Sequence, residues 1–555
     1  MGAEERRAHG GAQAVAAARR HGVATMFTLS GGHVFPLYDG AVTADPPMPI
    51  IDVRHEQTAV FAAEATARLT RSPGLAVLTA GPGVTNGVSA VTTAHFNGTP
   101  LVVLAGRAPD GRWGAGSLQE LDHPPLLAPV TKRAWTVHDT GKVGAAADEA
   151  FTLASARHRG PVFLDASLEA LFGSPHGPAS PVDGAGPLEA AGPDRPDPDA
   201  VTAVARLLAT ASRPVLVLGS DVWIDGAEHA ARAAAERLQL PVVANGQGRG
   251  ILPAGHPLLV TRARSVAFGE ADLVIVAGTP LDFRLGYGNF GGRHGAAPAR
   301  VVHLADAADQ IAKHCELAGS AAGDLAAIFD GIAADAAAGD WRQEWLPRLQ
   351  AVCAQQIAAD AALLHSDTTP IHPLRIYGEL ASMLQPDAVV IGDGGDFVSY
   401  AGKYVEPHQP GGWLDPGPYG CLGTGLGYAI AARVARPASQ VVLLLGDGAA
   451  GFSLIDADTL VRHGLPVVMI CGNNGIWGLE KHPMQALYGY DVAADLQPGC
   501  RYDQVVTALG GGGELVTDPD GIGPALQRAF DSGQPYLVNV VTDPKDAYPR
   551  STTGV

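Results

Sequence analysis

Short runs rich in valine, isoleucine and leucine recur along this chain, each separated from the next by enough residues for one helix, and that spacing constrains the fold more than any other feature. PLVVLAG (100–106), PVLVLG (214–219), ADLVIVAG (271–278) and QVVLLLG (440–446) are apolar throughout rather than alternating. A strand of that kind has to be covered on both faces, which is the condition of a parallel sheet with helices above and below it. Counted along the chain, such runs fall into three groups and predict three doubly wound α/β units. The first holds PIIDV (49–53), GLAVLTA (74–80) and PLVVLAG, with a helix over 57–71. The second adds PVVAN (241–245) and ARVVHLA (299–305), and the third holds DAVVIGDGG (387–395), QVVLLLGDGAAG (440–451), LPVVMICGNNG (465–475) and PYLVNVVTD (535–543). Residues 173–198 are rich in Pro and Gly and lack a periodic apolar face, so they read as a linker; 338–364 looks helical and amphipathic, a connector into the third unit. The expected division is 8–172, linker 173–198, 199–335, connector 336–368 and 369–555.

Length and charge narrow the function classes. At 555 residues the chain exceeds any single small binding module, and Lys+Arg 38 against Asp+Glu 56 leaves a net charge of −18 that repels a phosphate backbone. Nucleic acid is therefore not expected as a partner. The five cysteines stand far apart, with no CxxC pair for zinc, and predict a reducing, cytoplasmic setting. No apolar run approaches the roughly 18 residues of a membrane-spanning helix, and the start MGAEERRAHGG has no apolar stretch of a leader, so no membrane association is expected.

The chemistry concentrates at two strand ends in the third unit. Val441 to Leu445 runs into Gly446-Asp447-Gly448, and the strand from Pro466 to Cys471 ends in Asn473-Asn474, with Asn474 27 positions beyond Asp447. If the two strands are neighbours, both side chains emerge at the carboxyl edge of the sheet, where open α/β sheets bind ligands. A carboxylate and an amide oxygen beside a glycine-rich turn suit Mg²⁺, which takes oxygen ligands and completes its octahedron with phosphates.

Through GDG followed by NN, the chain resembles the thiamine diphosphate-dependent enzymes of the acetolactate synthase, oxalyl-CoA decarboxylase and 2-hydroxyacyl-CoA lyase group, and the resemblance covers nearly its whole length. It implies that the three units bind the pyrimidine, lie centrally and bind the diphosphate, in that order. It implies Asp447, Asn474 and the carbonyl of Ile476 around Mg²⁺, with Gly446, Gly448, Ala449 and the Gly395-Asp396 turn near the diphosphate. The family needs a glutamate after an early strand, and PIIDV is followed by Arg54-His55-Glu56. A carboxyl group there, hydrogen-bonded to the aminopyrimidine, favours the tautomer that takes up the thiazolium C2 proton. PYGCLGTGLGYAIAARVARP (418–437) is similar to the segment that wraps the pyrimidine, which places Leu422 as the apolar wedge under the cofactor, with the Gly420 carbonyl and Leu422 amide at ring nitrogens.

Further candidates follow from the same likeness. In Leu29-Ser30-Gly31-Gly32-His33, Gly32 offers no proton donor, as in the acetolactate synthases, and His33 follows as a candidate donor; Leu118-Gln119-Glu120 places Gln119 near the reacting carbon. Glu480 stands where the synthases carry an apolar residue, so a carboxylate is expected to face the substrate as acid or base. Gly246-Gln247-Gly248-Arg249-Gly250 imitates part of a dinucleotide fingerprint but runs into Ile-Leu-Pro and reads as a loop. Relatives bind FAD, ADP or neither in the central unit, and Arg262 and Arg264 are candidates for a nucleotide phosphate, although surface or structural pairing is their favoured role. The expected activity is decarboxylating carboligation of small 2-oxo acids in a homodimer or homotetramer with sites between chains. The alternatives are cleavage of a 2-hydroxyacyl-CoA to formyl-CoA and a carbonyl compound, and, from another class, a non-catalytic cofactor-binding relative.

Overall fold

A computed structural model describes residues 9–174, 194–293, 295, 297–546 and 548. Most of the predicted linker lies outside the described residues. The first unit holds six strands: β1 (Met26–Thr28), β2 (Ile50–Asp52), β3 (Gly74–Leu78), β4 (Leu101–Arg107), β5 (Ala134–Val137) and β6 (Val162–Ser167). They pair in parallel in the order β2-β1-β3-β4-β6-β5. The central sheet is built from β7 (Pro214–Leu218), β8 (Val242–Ala244), β9 (Leu273–Ala277), β10 (Arg300–Ala305) and β11 (Gly319–Ala322), in the order β11-β10-β9-β7-β8. The third sheet holds β12 (Val389–Asp393), β13 (Trp413–Leu414), β14 (Val441–Gly446), β15 (Val468–Asn473), β16 (Gly512–Val516) and β17 (Tyr536–Val541), in the order β13-β12-β14-β15-β17-β16. All pairs are parallel, as continuous apolar runs require.

Several strands carry no clear signal in the sequence. β1 is three residues long, β5 is only partly covered, and β16 begins with two glycines, so none carries the apolar run that marks its neighbours. β6 is interrupted by the buried Asp165. The helix expected over 338–364 spans Trp345–Leu364, preceded by a 3-10 turn at Asp340–Arg342.

The outer units are joined by two helices. Glu56–Thr70 is rich in alanine, begins where the His55 Nδ1 accepts the Gln57 amide, and ends at Arg71 in the left-handed conformation. It packs on Thr424–Ala435 closely enough that a side chain at Gly427 would start 2.7 Å from Phe61 Cβ. Between them lies the buried Glu64, which accepts from the Tyr428 hydroxyl at 2.8 Å and from Asn97 Nδ2 at 2.7 Å. The result is a single apolar core running from the first sheet into the third, so the two carboxyl edges are held in a fixed relation.

Candidate active site

β14 and β15 are neighbours, with Gly446 opposite Gly472, so Asp447 and Asn474 leave adjacent strands at one edge as the spacing required. They line a cavity of about 460 Å³. Around it three helices begin: Asp396–Tyr404, Asp447–Ser453 and Gly478–Tyr488. Their first-turn N–H groups and their dipoles make the cavity attractive to an anion. Gly395 and Asp396 enter from the first of these, Gly446, Gly448 and Ala449 from the second, and Ile476 and Glu480 from the third. The approach at Gly448 requires glycine, because a side chain there would start 2.4 Å from the Trp477 ring.

Asp447 is buried, its Oδ1 accepting the Gly448 amide at 2.9 Å and its Oδ2 the Gly475 amide at 2.7 Å. Burial pushes its carboxyl up to about 6 even against these amides, so the site is poised for a positive charge. Asn474 lines the same wall, with Oδ1 accepting the Ile476 amide at 3.1 Å. Oxygen donors next to three helix starts fit Mg²⁺ and a diphosphate.

Gly420 and Leu422 form the cavity's other side. The turn after Leu422 relies on Gly423, whose φ of +87° a side chain would disfavour. A carboxylate that sequence reasoning missed holds it: Asp393, at the end of β12, accepts from the Gly423 amide at 3.1 Å and the Gly425 amide at 2.8 Å. Burial raises Asp393 to about 7 despite those two donors.

Glu56, Gln119, Gly32 and His33 are not among the residues lining this cavity. They gather at the carboxyl edge of the first sheet. Glu56 opens the helix after β2, is 8% exposed, and accepts from Asn86 Nδ2 at 3.0 Å. Gly83 leaves room beside its Oε1. Gln119 takes a left-handed φ of 60° against Gly81. His33 Nδ1 lies 3.1 Å from Thr79 Oγ1, and burial, then the nearby His123, pushes its imidazole below the usual histidine range. Gly32 is exposed, with open space where a side chain would start. Beneath them a buried pair, His123 and Asp165, has its nitrogen and oxygen 2.7 Å apart, and His123 Nε2 accepts the Gly81 amide at 2.9 Å. Nothing in the sequence marks that pair, whose members stand 42 positions apart.

The central sheet's edge differs. Asp221, in the first turn of the five-residue helix Ser220–Ile224, gives its amide to the Gly278 carbonyl at 2.9 Å, which ties the ends of β7 and β9 together. His158, from the first unit, meets Asp306 at 2.9 Å. Burial works against its charge, but the bond to Asp306 and the charges of Asp221 and Asp306 hold it up at about 9. Of the two arginine candidates, Arg262 pairs with Asp360 at 3.2 Å, and Arg264 donates to the Arg284 carbonyl. Both are spent on protein partners. Among the described residues no helix is long and apolar enough to cross a membrane.

Three strand edges of this kind, one with a metal-ready carboxylate among helix starts and one with a glutamate after its second strand, define a class, and the chain belongs to the thiamine pyrophosphate enzyme family. The N-terminal TPP binding domain of that family matches residues 8–126, its central domain 201–332 and its C-terminal TPP binding domain 393–540. Over 530 residues, 95% of each chain, the protein is 50% identical to the acetolactate synthase large subunit IlvG of Mycobacterium tuberculosis. It is also 32% identical to 2-hydroxyacyl-CoA lyase 2 of Caenorhabditis elegans, covering 98% of this chain and 91% of that one, and 31% identical to the human 2-hydroxyacyl-CoA lyase 2, covering 96% and 90%.

Proposed function

We propose that the protein is a thiamine diphosphate- and Mg²⁺-dependent carboligase that decarboxylates a small 2-oxo acid such as pyruvate and joins the remaining fragment to a second carbonyl compound. The observation that carries the cofactor assignment is the shared cavity of Asp447 and Asn474 among three helix starts; the extent of likeness to an acetolactate synthase favours the substrate. When bound, thiamine diphosphate supplies a carbon nucleophile for the carbonyl and a sink for the electrons left by CO₂. The chain's residues do the rest. Asp447, Asn474 and the Ile476 carbonyl would hold Mg²⁺, and the turns Gly395-Asp396 and Gly446 to Ala449 would surround the diphosphate. Leu422 would wedge the cofactor, with the Gly420 carbonyl and the Leu422 amide at the ring. Glu56 would hold a proton at the pyrimidine.

Because Glu56 lies outside the cavity of its own chain, we assign it, with Gly32, His33 and Gln119, to the cavity of a second copy, in a homodimer or homotetramer. Glu480, exposed on the cavity's third helix, would deliver or take a substrate proton, together with His33 and Gln119. The division into 8–172, 199–335 and 369–555, with linker 173–198 and connector 336–368, belongs to the same proposal, as does a cytoplasmic setting, consistent with five free cysteines. FAD or ADP, if bound, would occupy the central edge, where a cavity of about 400 Å³ is lined by Ser220, Asp221, Gly278, Thr279, Arg284 and His303. No step passes through a nucleotide.

Mass spectrometry of products, with pyruvate in one reaction and short 2-hydroxyacyl-CoA esters in another, tests the reading. Acetolactate or another acyloin with CO₂ release is the expected result. Formyl-CoA and a carbonyl compound in the second reaction, with nothing in the first, would overturn it in favour of the lyase activity named for the second group of relatives.

A further inference from the structure

We propose that Asp456 is the positioning residue for Glu56, holding the glutamate's turn from both sides through one buried carboxylate. The proposal rests on the reading of Glu56 above. Between β2 and the helix Glu56–Thr70 the chain leaves the sheet, and the turn has to find its hydrogen bonds elsewhere. It finds them on the third unit: Asp456 Oδ1 accepts the Arg54 amide at 2.7 Å, and Oδ2 accepts the Thr58 hydroxyl at 2.6 Å. These two donors flank Glu56 by two residues on either side. Thr459 Oγ1 completes the set at 3.0 Å, and Asp456 is fully buried.

Asp456 also closes the 3-10 turn that directly follows the helix Asp447–Ser453. One short segment therefore carries the proposed metal ligand at its start and the clamp on the glutamate's turn at its end. An outer ring of ion pairs spans the same junction, with Arg462 on Asp52 at 2.8 Å and Arg54 on Asp458 at 3.2 Å. Those groups are substantially exposed and contribute little, whereas removing a buried acceptor strands the donors that faced it. Glu56 has to meet a ring nitrogen within hydrogen-bond reach, and a displacement of about 1 Å at such a group costs up to about 100-fold in rate.

The test uses Asp456→Ala, Asp456→Asn and Thr58→Val, with Glu56→Gln alongside. Amide hydrogen exchange of residues 52–58 in the apoenzyme reads the clamp. Hydrogen–deuterium exchange at C2 of thiamine diphosphate on the Mg²⁺-loaded enzyme reads its consequence without any substrate, and cofactor affinity serves as control. Asp456→Ala is expected to speed amide exchange in this segment and to slow C2 exchange by about tenfold or more, with cofactor affinity nearly unchanged. Asp456→Asn, which keeps an oxygen for the Arg54 amide, should recover most of both. Thr58→Val removes one hydroxyl and provides the same reading, more weakly, should Asp456→Ala fail to fold. Wild-type C2 exchange in Glu56→Gln would overturn the reading of Glu56. Loss in Glu56→Gln with wild-type C2 exchange in Asp456→Ala, or in Thr58→Val where only that variant folds, would overturn the positioning role alone.

Discussion

The first and third sheets repeat one strand order: in each, the second strand lies outside the first, and the sixth between the fourth and the fifth. Their carboxyl edges nevertheless do different things. After its third strand the third sheet turns through Gly446-Asp447-Gly448 into a helix start, and two more helix starts converge on the same cavity. After its third strand the first sheet turns through Thr79, Ala80 and Gly81, held by the His123 and Asp165 pair, and its distinctive carboxylate follows the second strand instead. The central sheet repeats the order with one strand fewer, and at its edge the Asp221 amide is bonded to the Gly278 carbonyl beside a cavity of about 400 Å³. The doubly wound sheet supplies an edge; a few residues at strand ends set which chemical groups that edge presents.

The comparison predicts that damage to the two outer edges will separate binding from chemistry. Asp447→Ala should weaken Mg²⁺-dependent thiamine diphosphate binding by about 100-fold or more, the loss of a charge-assisted ligand of about 3 kcal/mol, as read by titration calorimetry. Glu56→Gln should leave that affinity within a few-fold while lowering turnover by about 10²–10⁴-fold. If both variants lost binding alike, the division of labour between the edges would be wrong. A smaller effect is expected at the wedge: Leu422→Ala should cost about 10–100-fold in turnover through misplacement of the cofactor, with affinity less affected, measured by steady-state rates at saturating cofactor.

The central edge should respond in stability rather than in cofactor affinity. His158 is held at about 9 against an ordinary 6.5, so its stabilising contribution is complete below about pH 6.5 and lost as pH rises through 9. His158→Gln should therefore destabilise the apoenzyme at neutral pH by about 1–2 kcal/mol and flatten the fall in melting temperature between those limits. An unchanged pH profile would contradict the assignment of this edge.

How much of this was legible in the sequence depended on locality. Asp447 and Asn474 could be placed because the apolar runs before them are unmistakable and parallel neighbours bring their ends together. Glu56 could be placed because it stands just beyond such a run. By contrast, Asp393, Asp165 and Asp456 look like ordinary acids in the sequence, and their roles appear only when loops distant in the chain fold onto them: Asp456 meets Arg54 across 402 positions. β1, β5 and β16 were missed because a short or partly exposed strand carries no continuous apolar run.

We infer that the glutamate edge and the metal-ready cavity are two halves of one site, contributed by two copies of the chain. Co-expression of Glu56→Gln and Asp447→Ala subunits tests it most directly. Hybrids would carry both lesions in one site and none in the other, so random pairing into dimers predicts recovery of about a quarter of wild-type turnover from two inactive parents. No recovery in hybrids shown to form would mean that each chain's own Glu56 serves its own Asp447, contrary to this account.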